Sequence, residues 1–275
     1  MQKKIAVIND LSGYGRCSLT VAIPVLSVMG HQCCPVPTAI LSNHTEFPVY
    51  FFDDYTEKMT AYTDKWKELG LSFDAVATGF LGSEAQIEIV MDMIRKLESE
   101  ETFVVVDPVM GDHGHAYETY TPEMCEQMKE LVCMADVVLP NVTECCILTD
   151  TPYREENWAR KELLNMAMML RLMGAKSVVI TGVREGSCYT NVVLEQGQYD
   201  AKFIRTRSSG GERPGTGDVF SSVVAGALLN GKSLPEAVSQ AAGFVKECIK
   251  VSDEEQIPHA NGVCFEKILG KLIKK

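Results

Sequence analysis

No two cysteines in this chain are spaced C-x-x-C, although there are ten of them. Zinc-ribbon and thioredoxin-like readings therefore lose their main support. No apolar run approaches the roughly 18 residues that a membrane span needs. The first eight residues carry two lysines and an apolar run too short for a signal peptide, and no small-residue cleavage site follows. The cysteines then read as small core hydrophobes of a protein in the reducing cytoplasm. Basic residues are the minority: 26 Lys and Arg stand against 37 Asp and Glu, a formal net charge of −11. Nucleic-acid binding calls for clustered positive charge, so this balance argues against it. It does not argue against a phosphorylated small ligand, because backbone N–H groups and a bound cation act locally. Two nucleotide motifs are also missing. No Lys follows the glycines of Gly215-Thr216-Gly217-Asp218, so there is no Walker A loop, and no G-x-G-x-x-G follows the first apolar run.

What is present is alternation. The 275 residues are 46% hydrophobic, enough for a substantial core and too much for global disorder. Short β-rich runs at 4–8, 74–78, 102–106, 137–139 and 177–180 predict strands. Amphipathic segments at 17–29, 83–97, 122–134, 154–173, 218–230, 234–250 and 263–272 predict helices, with a short one starting near Thr143. Gly30 and Gly174 stand where two of the helices should stop. This order predicts an α/β fold of three layers, αβα, around a mostly parallel central sheet. The texture changes at 187–203, where two alternating runs flank Gln196-Gly197-Gln198 and predict an antiparallel hairpin at the sheet edge. No repeat, low-complexity segment or Pro/Gly-rich linker divides the chain, so one domain over 1–275 is expected.

In such a sheet, ligands bind beyond the carboxyl ends of the strands. Four of those loops hold polar clusters. The run 210–218, ending in Gly215-Thr216-Gly217-Asp218, feeds directly into an apolar helix, where bare backbone and the helix N-terminus can cradle an anion. An ordinary Asp N-cap after a flexible loop is the plain alternative. Asp107-Pro108-Val109-Met110-Gly111-Asp112 puts two carboxylates at the end of a buried strand, suited to Mg²⁺ or to a simple turn. Asn141-Val142-Thr143-Glu144 places an amide and a carboxylate at a helix start, where helix capping alone would account for them. Thr181-Gly182 offers a hydroxyl and open backbone. Carboxylates, an amide, a hydroxyl and an anion hole together make the set that phosphoryl transfer uses.

With those residues in place, the chain resembles the ribokinase-like superfamily, and within it the pyridoxal (pyridoxine/pyridoxamine) kinases, over essentially its whole length. The resemblance rests on Ser42-Asn43-His44-Thr45, Thr78-Gly79-Phe80, the 107–112 and 141–144 clusters and Gly215-Thr216-Gly217-Asp218, in the family's order. It implies Asp218 as catalytic base toward a hydroxymethyl group, with an anion hole at Gly215, Thr216 and Gly217. It further implies ATP contacts from Asp107, Asp112, Tyr117, Asn141 and Thr181, and Mg²⁺ near Asp107 and Glu144. A monovalent cation is compatible with it. Asp10, Thr45 and Phe80 fall at the substrate ring, with His44 beside them. The loop carrying His113, Gly114, His115 and Tyr117 is expected to cover ATP, its histidines solvated rather than bound to metal. Two copies are expected to form a homodimer, as the small lid-less relatives often do.

Two departures bear on which vitamer is taken: Asp10 stands where Ser is common, and Phe80 where Tyr is common. A carboxylate at a helix N-terminus is also expected to be a weakened base. The nearest rival is a hydroxymethylpyrimidine kinase of the same superfamily; those commonly carry Cys in place of Asp218 and lack Ser42-Asn43-His44-Thr45. Sugar kinases usually insert a β-sheet lid early, for which the stretch 30–56 is too short. A non-catalytic relative would have lost its base or its acids, and here they are present.

Overall fold

Period-two alternation splits the apolar residues of each strand between two cores. In β1 (Lys4–Tyr14), Ile5 and Val7 belong to one core and Ala6 and Ile8 to the other. The computed structural model describes residues 2–97, 99 and 102–273. After β1 come α1 (Ser18–Val28), β2 (Gln32–Asn43), β3 (Phe52–Asp54), α2 (Thr56–Glu68), β4 (Ala75–Thr78) and α3 (Glu84–Leu97). The middle of the chain gives β5 (Phe103–Val106), the small pair β6 (Gly111–Asp112) and β7 (His115–Ala116), α4 (Pro122–Cys133), β8 (Val137–Val138), α5 (Val142–Leu148) and α6 (Arg160–Met173). Then follow β9 (Ser177–Glu185), β10 (Cys188–Leu194), β11 (Lys202–Arg207), α7 (Thr216–Leu229) and α8 (Leu234–Glu254), with short 3₁₀ segments at His259–Asn261 and Glu266–Leu272.

The main sheet runs in the order β11-β10-β9-β8-β5-β4-β1-β2-β3. Neighbours from β9 to β2 are parallel, as expected. Antiparallel strands close both edges, β10 and β11 on one side and β3 on the other. Helices α2 to α6 pack on the face carrying Ile8, Val76, Val104 and Val138. Helices α1, α7 and α8 pack on the face carrying Val7, Ala75, Val105 and Val137. The strand order reverses between β1 and β4, since the chain leaves β1 for β2 on one side and returns to β4 on the other. That reversal opens the crevice in which such sheets hold ligands.

Several elements differ from the sequence expectation. β1 does not stop at Ile8 but runs to Tyr14, with an irregular register against β2 between Asn9 and Leu11. The expected Thr181-Gly182 loop is instead interior to β9, which continues to Glu185 by pairing with β10. Its register against β10 slips around Asn191, and Gly182 there takes a φ of +69°. Helix α6 starts at Arg160 rather than 154. The residues before it form a turn in which the buried Trp158 donates to the Arg154 carbonyl at 2.8 Å and the Arg154 guanidinium lies over its ring. The terminal helix over 263–272 is replaced by 3₁₀ turns.

Three elements, β2, β3 and α2, carried too little pattern to be anticipated. β2 contains Pro35 and Pro37, which argue against a central strand. They are tolerated because β3 pairs only with Ala39 to Leu41, leaving that part of the edge uncovered. Among α2 residues only Met59 and Thr63 are buried, too few for an apolar stripe.

Candidate active site

Helix α7 begins at the crevice. Its N-cap is Gly215, whose φ of 79° is left-handed and where a Cβ would collide with the Arg16 carbonyl. Only glycine meets both conditions. The backbone N–H groups of Gly217 and Asp218 have no acceptor among the described residues, as befits a first helical turn. The Thr216 hydroxyl is turned away, donating to the Arg213 carbonyl at 3.0 Å. The Thr216 N–H points to the same carbonyl at 3.4 Å, so the N–H groups left open in this turn are those of Gly217 and Asp218.

Asp218 lies half-buried in that first turn. The Asn9 amide donates to its Oδ1 at 3.2 Å, and the Ser18 backbone N–H donates to it as well. Its pKa is not depressed, as a helix N-terminus alone suggests, but pushed up to about 6. Burial is the largest cause and the charge of Asp10 adds to it, while the two hydrogen bonds oppose it. Behind the carboxylate is a cavity of about 20 Å³ whose lining includes Asn9, Thr78, Asp218, Ser221 and Ser222. A space of that size is enough for one water, and the buried Thr78 Oγ1 in its wall has no hydrogen-bond partner among the described residues.

On the other side of the crevice stand the acids of β5 and α5. Asp107 follows β5 and lies near Ser221 of α7, whose hydroxyl donates to the Asp218 carbonyl at 3.4 Å. The Asp107 pKa is raised, first by burial and then by the charge of Asp218. Asn141 and Glu144 form the capping box that opens α5: Asn141 Oδ1 accepts from Glu144 N at 2.9 Å, and Glu144 Oε2 accepts from Asn141 N at 2.7 Å. Capping does not exhaust their role. Glu144 Oε1 also accepts from Met110 N at 3.1 Å, and Asn141 Nδ2 donates to the Gly111 carbonyl at 2.9 Å, tying the 107–112 loop to α5. Glu144 is 3% exposed, and burial followed by the Asp107 charge lifts its pKa well above the usual range.

Tyr117 is half exposed after the β6–β7 hairpin. Burial raises its pKa, and the charges of Glu144, Asp112, Asp107 and Asp218 all add to that rise. Asp112 itself is exposed on β6. His113 at the hairpin tip is 69% exposed and approaches Glu212 at 3.3 Å, a solvated position as expected. Thr181 meets the start of α5 through an isolated bridge to Asn141, and its backbone N–H donates to the Pro140 carbonyl at 2.8 Å.

The residues expected at the substrate ring fall into two layers. Asp10 is 7% exposed, and its oxygens accept from the Ser12 hydroxyl at 2.8 Å and from the Ser18 hydroxyl. Burial raises its pKa. His44 is also buried, its ring tilted against Phe47 and hydrogen-bonded to the Ala260 carbonyl at 2.7 Å, so it supports the wall of the crevice. Thr45 is exposed. Phe80 is placed through its backbone, with N bonded to Asn9 Oδ1 at 2.9 Å and O to the Thr38 hydroxyl at 3.0 Å. Sequence reasoning passed over Asn9, Ser18 and Ser221. Asn9 carried a usable signal, as the first polar residue after the apolar run of β1.

Among the described residues no group of three or more His, Cys, Asp or Glu could hold a metal on its own. Asp107 and Glu144 nevertheless fit Mg²⁺. Glu144 is buried and Asp107 partly so, the Asp107 charge raises the Glu144 pKa, and no Lys or Arg is among the causes acting on either. Such an ion takes one or two carboxylates and completes its shell with phosphate oxygens and water.

Comparison with known proteins identifies the family. The model of the phosphomethylpyrimidine kinase family matches residues 23–264. A pyridoxine/pyridoxal/pyridoxamine kinase from Bordetella avium is 27% identical over 260 residues, covering 89% of this chain and 84% of the relative. A hydroxymethylpyrimidine/phosphomethylpyrimidine kinase from Aquifex aeolicus is 30% identical over 178 residues, 64% of this chain and 67% of the relative. A structure from Bacteroides thetaiotaomicron, solved in a crystal form with pyridoxal, is 39% identical and superposes with a TM-score of 0.94 over 99% of this chain and 96% of that one. A glycine-bounded helix N-terminus, a carboxylate in its first turn and an acid pair across the crevice thus occur in a chain that belongs to the phosphomethylpyrimidine kinase family, within the ribokinase-like kinases.

Proposed function

We propose that this small-molecule kinase transfers the γ-phosphoryl group of ATP to the 5′-hydroxymethyl group of a vitamin B6 vitamer: pyridoxal, pyridoxine or pyridoxamine. The products are the 5′-phosphate and ADP. The observation that carries this reading is Asp218, a carboxylate with a pKa near neutrality set in the first turn of an N–H-lined helix. The hydroxyl oxygen bonds to the γ-phosphorus, the bond to the β–γ bridging oxygen breaks with its electron pair leaving on ADP, and the proton passes to Asp218. Little proton transfer is needed early in a loose transition state, so positioning and charge stabilisation by the Gly217 and Asp218 N–H groups supply most of the catalysis.

Asp107, Asp112, Tyr117, Asn141 and Thr181 face the nucleotide in this reading. Asp107 and Glu144 would hold Mg²⁺, which when bound offsets phosphate charge. Asp10, His44, Thr45 and Phe80 shape the acceptor side, Asp10 and His44 from behind. The chain's 39% identity to a protein crystallised with pyridoxal supports the choice of acceptor. Hydroxymethylpyrimidine is the second reading, favoured by the family model and by the Aquifex relative. Incubation with Mg-ATP and each compound separates the two: ADP release with a B6 vitamer supports the first, and release with hydroxymethylpyrimidine alone refutes it.

Residues 1–275 are read as one kinase domain, in keeping with a single sheet that takes strands from both ends of the chain. The ten unpaired cysteines suit the cytoplasm, and no helix among the described residues is long and apolar enough to cross a membrane. The exposed apolar run Val49, Tyr50, Phe51 and Phe52, at the β3 edge, is the surface on which a homodimer would form. Light scattering at two concentrations tests that association.

A further inference from the structure

Asn9 is 6% exposed, and its side chain is satisfied on both atoms. Its Oδ1 accepts from the backbone N–H groups of Asp10, at 3.0 Å, and Phe80, at 2.9 Å. Two N–H donors on one atom identify that atom as the oxygen, so the NH₂ must be the group that faces Asp218 Oδ1 at 3.2 Å. One amide therefore joins β1, the turn after β4 and the first turn of α7, the three elements that border the crevice. The chain keeps space for it. A Cβ at Gly79 would collide with the Asn9 amide, and Gly79 does not have the positive φ that would by itself demand glycine.

From this geometry we infer that Asn9 is a positioning residue: its NH₂ fixes the rotamer of the Asp218 carboxylate, aiming the free oxygen at the acceptor hydroxyl. The inference rests on the reading of Asp218 as the base. The need for such a restraint follows from the surroundings. The buried Asp10 carboxylate accepts from the Ser18 hydroxyl while the Ser18 N–H serves Asp218, so a like charge stands beside the one to be held. The Ser18 N–H is the other donor to Asp218, and Ser18 holds a left-handed φ of 52°, so this donor too is aimed by an unusual backbone. With one side-chain donor and one backbone donor the carboxylate has a single orientation; with the backbone donor alone it can pivot. Misplacement by about 1 Å costs on the order of 100-fold in rate.

The full chain tests this through a double-mutant cycle with Asp218→Ala, read as kcat at saturating Mg-ATP and pyridoxal. Asn9→Ala is expected to lower kcat about 10- to 100-fold with KM for ATP within about twofold, and to cause little further loss in the Asp218→Ala background. An equal loss in both backgrounds would overturn the inference, because a purely structural Asn9 subtracts regardless of its partner. Asn9→Asp keeps an acceptor for the Asp10 and Phe80 N–H groups and replaces the donor by a carboxylate oxygen that faces Asp218. It is expected to be at least as impaired in kcat as Asn9→Ala, and a near-normal kcat would count against the inference. Should either Asn9 variant fail to fold, Gly79→Ala leaves Asn9 in place but displaces its amide. It is expected to reproduce the kcat loss, and unchanged turnover there would overturn the inference. Near-normal turnover of Asp218→Ala itself would remove the base assignment instead, a different result from failure of the cycle.

Discussion

The two sides of the crevice hold their acids by different means. On the nucleotide side, Glu144 accepts from two backbone N–H groups, Met110 and Asn141, and is part of a helix cap. On the acceptor side, Asp10 accepts from the hydroxyls of Ser12 and Ser18, and Asp218 takes one of its bonds from the side chain of Asn9. Backbone donors cannot be exchanged without changing the fold, whereas side-chain donors can be replaced one at a time. Glu144 is thus held by the fold itself, Asp10 by the choice of two serines, and Asp218 by one donor of each kind, the Ser18 N–H and the Asn9 amide.

The largest expected effect lies where the two sides meet. Asp218→Asn should lower turnover by roughly two orders of magnitude or more while ATP still binds, measured by steady-state kinetics and nucleotide titration. Next comes a direct contrast between the sides. Glu144→Gln must turn an NH₂ toward one of two backbone N–H groups that cannot reverse, at a cost of about 1–3 kcal/mol. Asp10→Asn meets serine hydroxyls, which can rotate to accept, so its stability should stay within about 0.5 kcal/mol of the parent. Equal denaturant midpoints for these two variants would break the comparison.

Proton linkage gives two opposed trends from one group. The Asp218 pKa rises from 3.8 to about 6 on folding, so the base is ionised above that value and activity should fall as pH drops through about 6. The same raised pKa favours the protonated fold. Its stabilising contribution is complete below about 4 and is lost as pH rises through about 6. Asp10, Asp107 and Glu144 are shifted in the same direction. The ligand-free protein should therefore melt higher at pH 5.5 than at pH 8, the reverse of its activity profile. The smallest effect is expected for Asp107→Asn, which removes one of the mutually repelling charges. It should raise the ligand-free melting temperature by about 2–4 °C while impairing turnover.

The parallel sheet was legible because β4, β5, β8 and β9 are dense in β-branched residues, and their carboxyl-end loops carried the acids openly. What escaped did so for physical reasons. β2 hides behind two edge prolines, and α2 buries one face too sparsely to leave a period. Within the site, Asp107, Glu144 and Asp218 stood out as carboxylates in loops. Asn9 did not, because its importance comes from Phe80 and Asp218, which lie 71 and 209 positions away in the chain. The sign of the Asp218 shift was also out of reach, since a helix N-terminus is visible in sequence and the burial that overrides it is not.

Product analysis with the wild-type protein, Mg-ATP and equal amounts of pyridoxal and hydroxymethylpyrimidine tests the central claim most directly. The account predicts one pyridoxal 5′-phosphate for each ADP formed, with the pyrimidine largely unconsumed. Phosphorylation of the pyrimidine in preference to pyridoxal would contradict it.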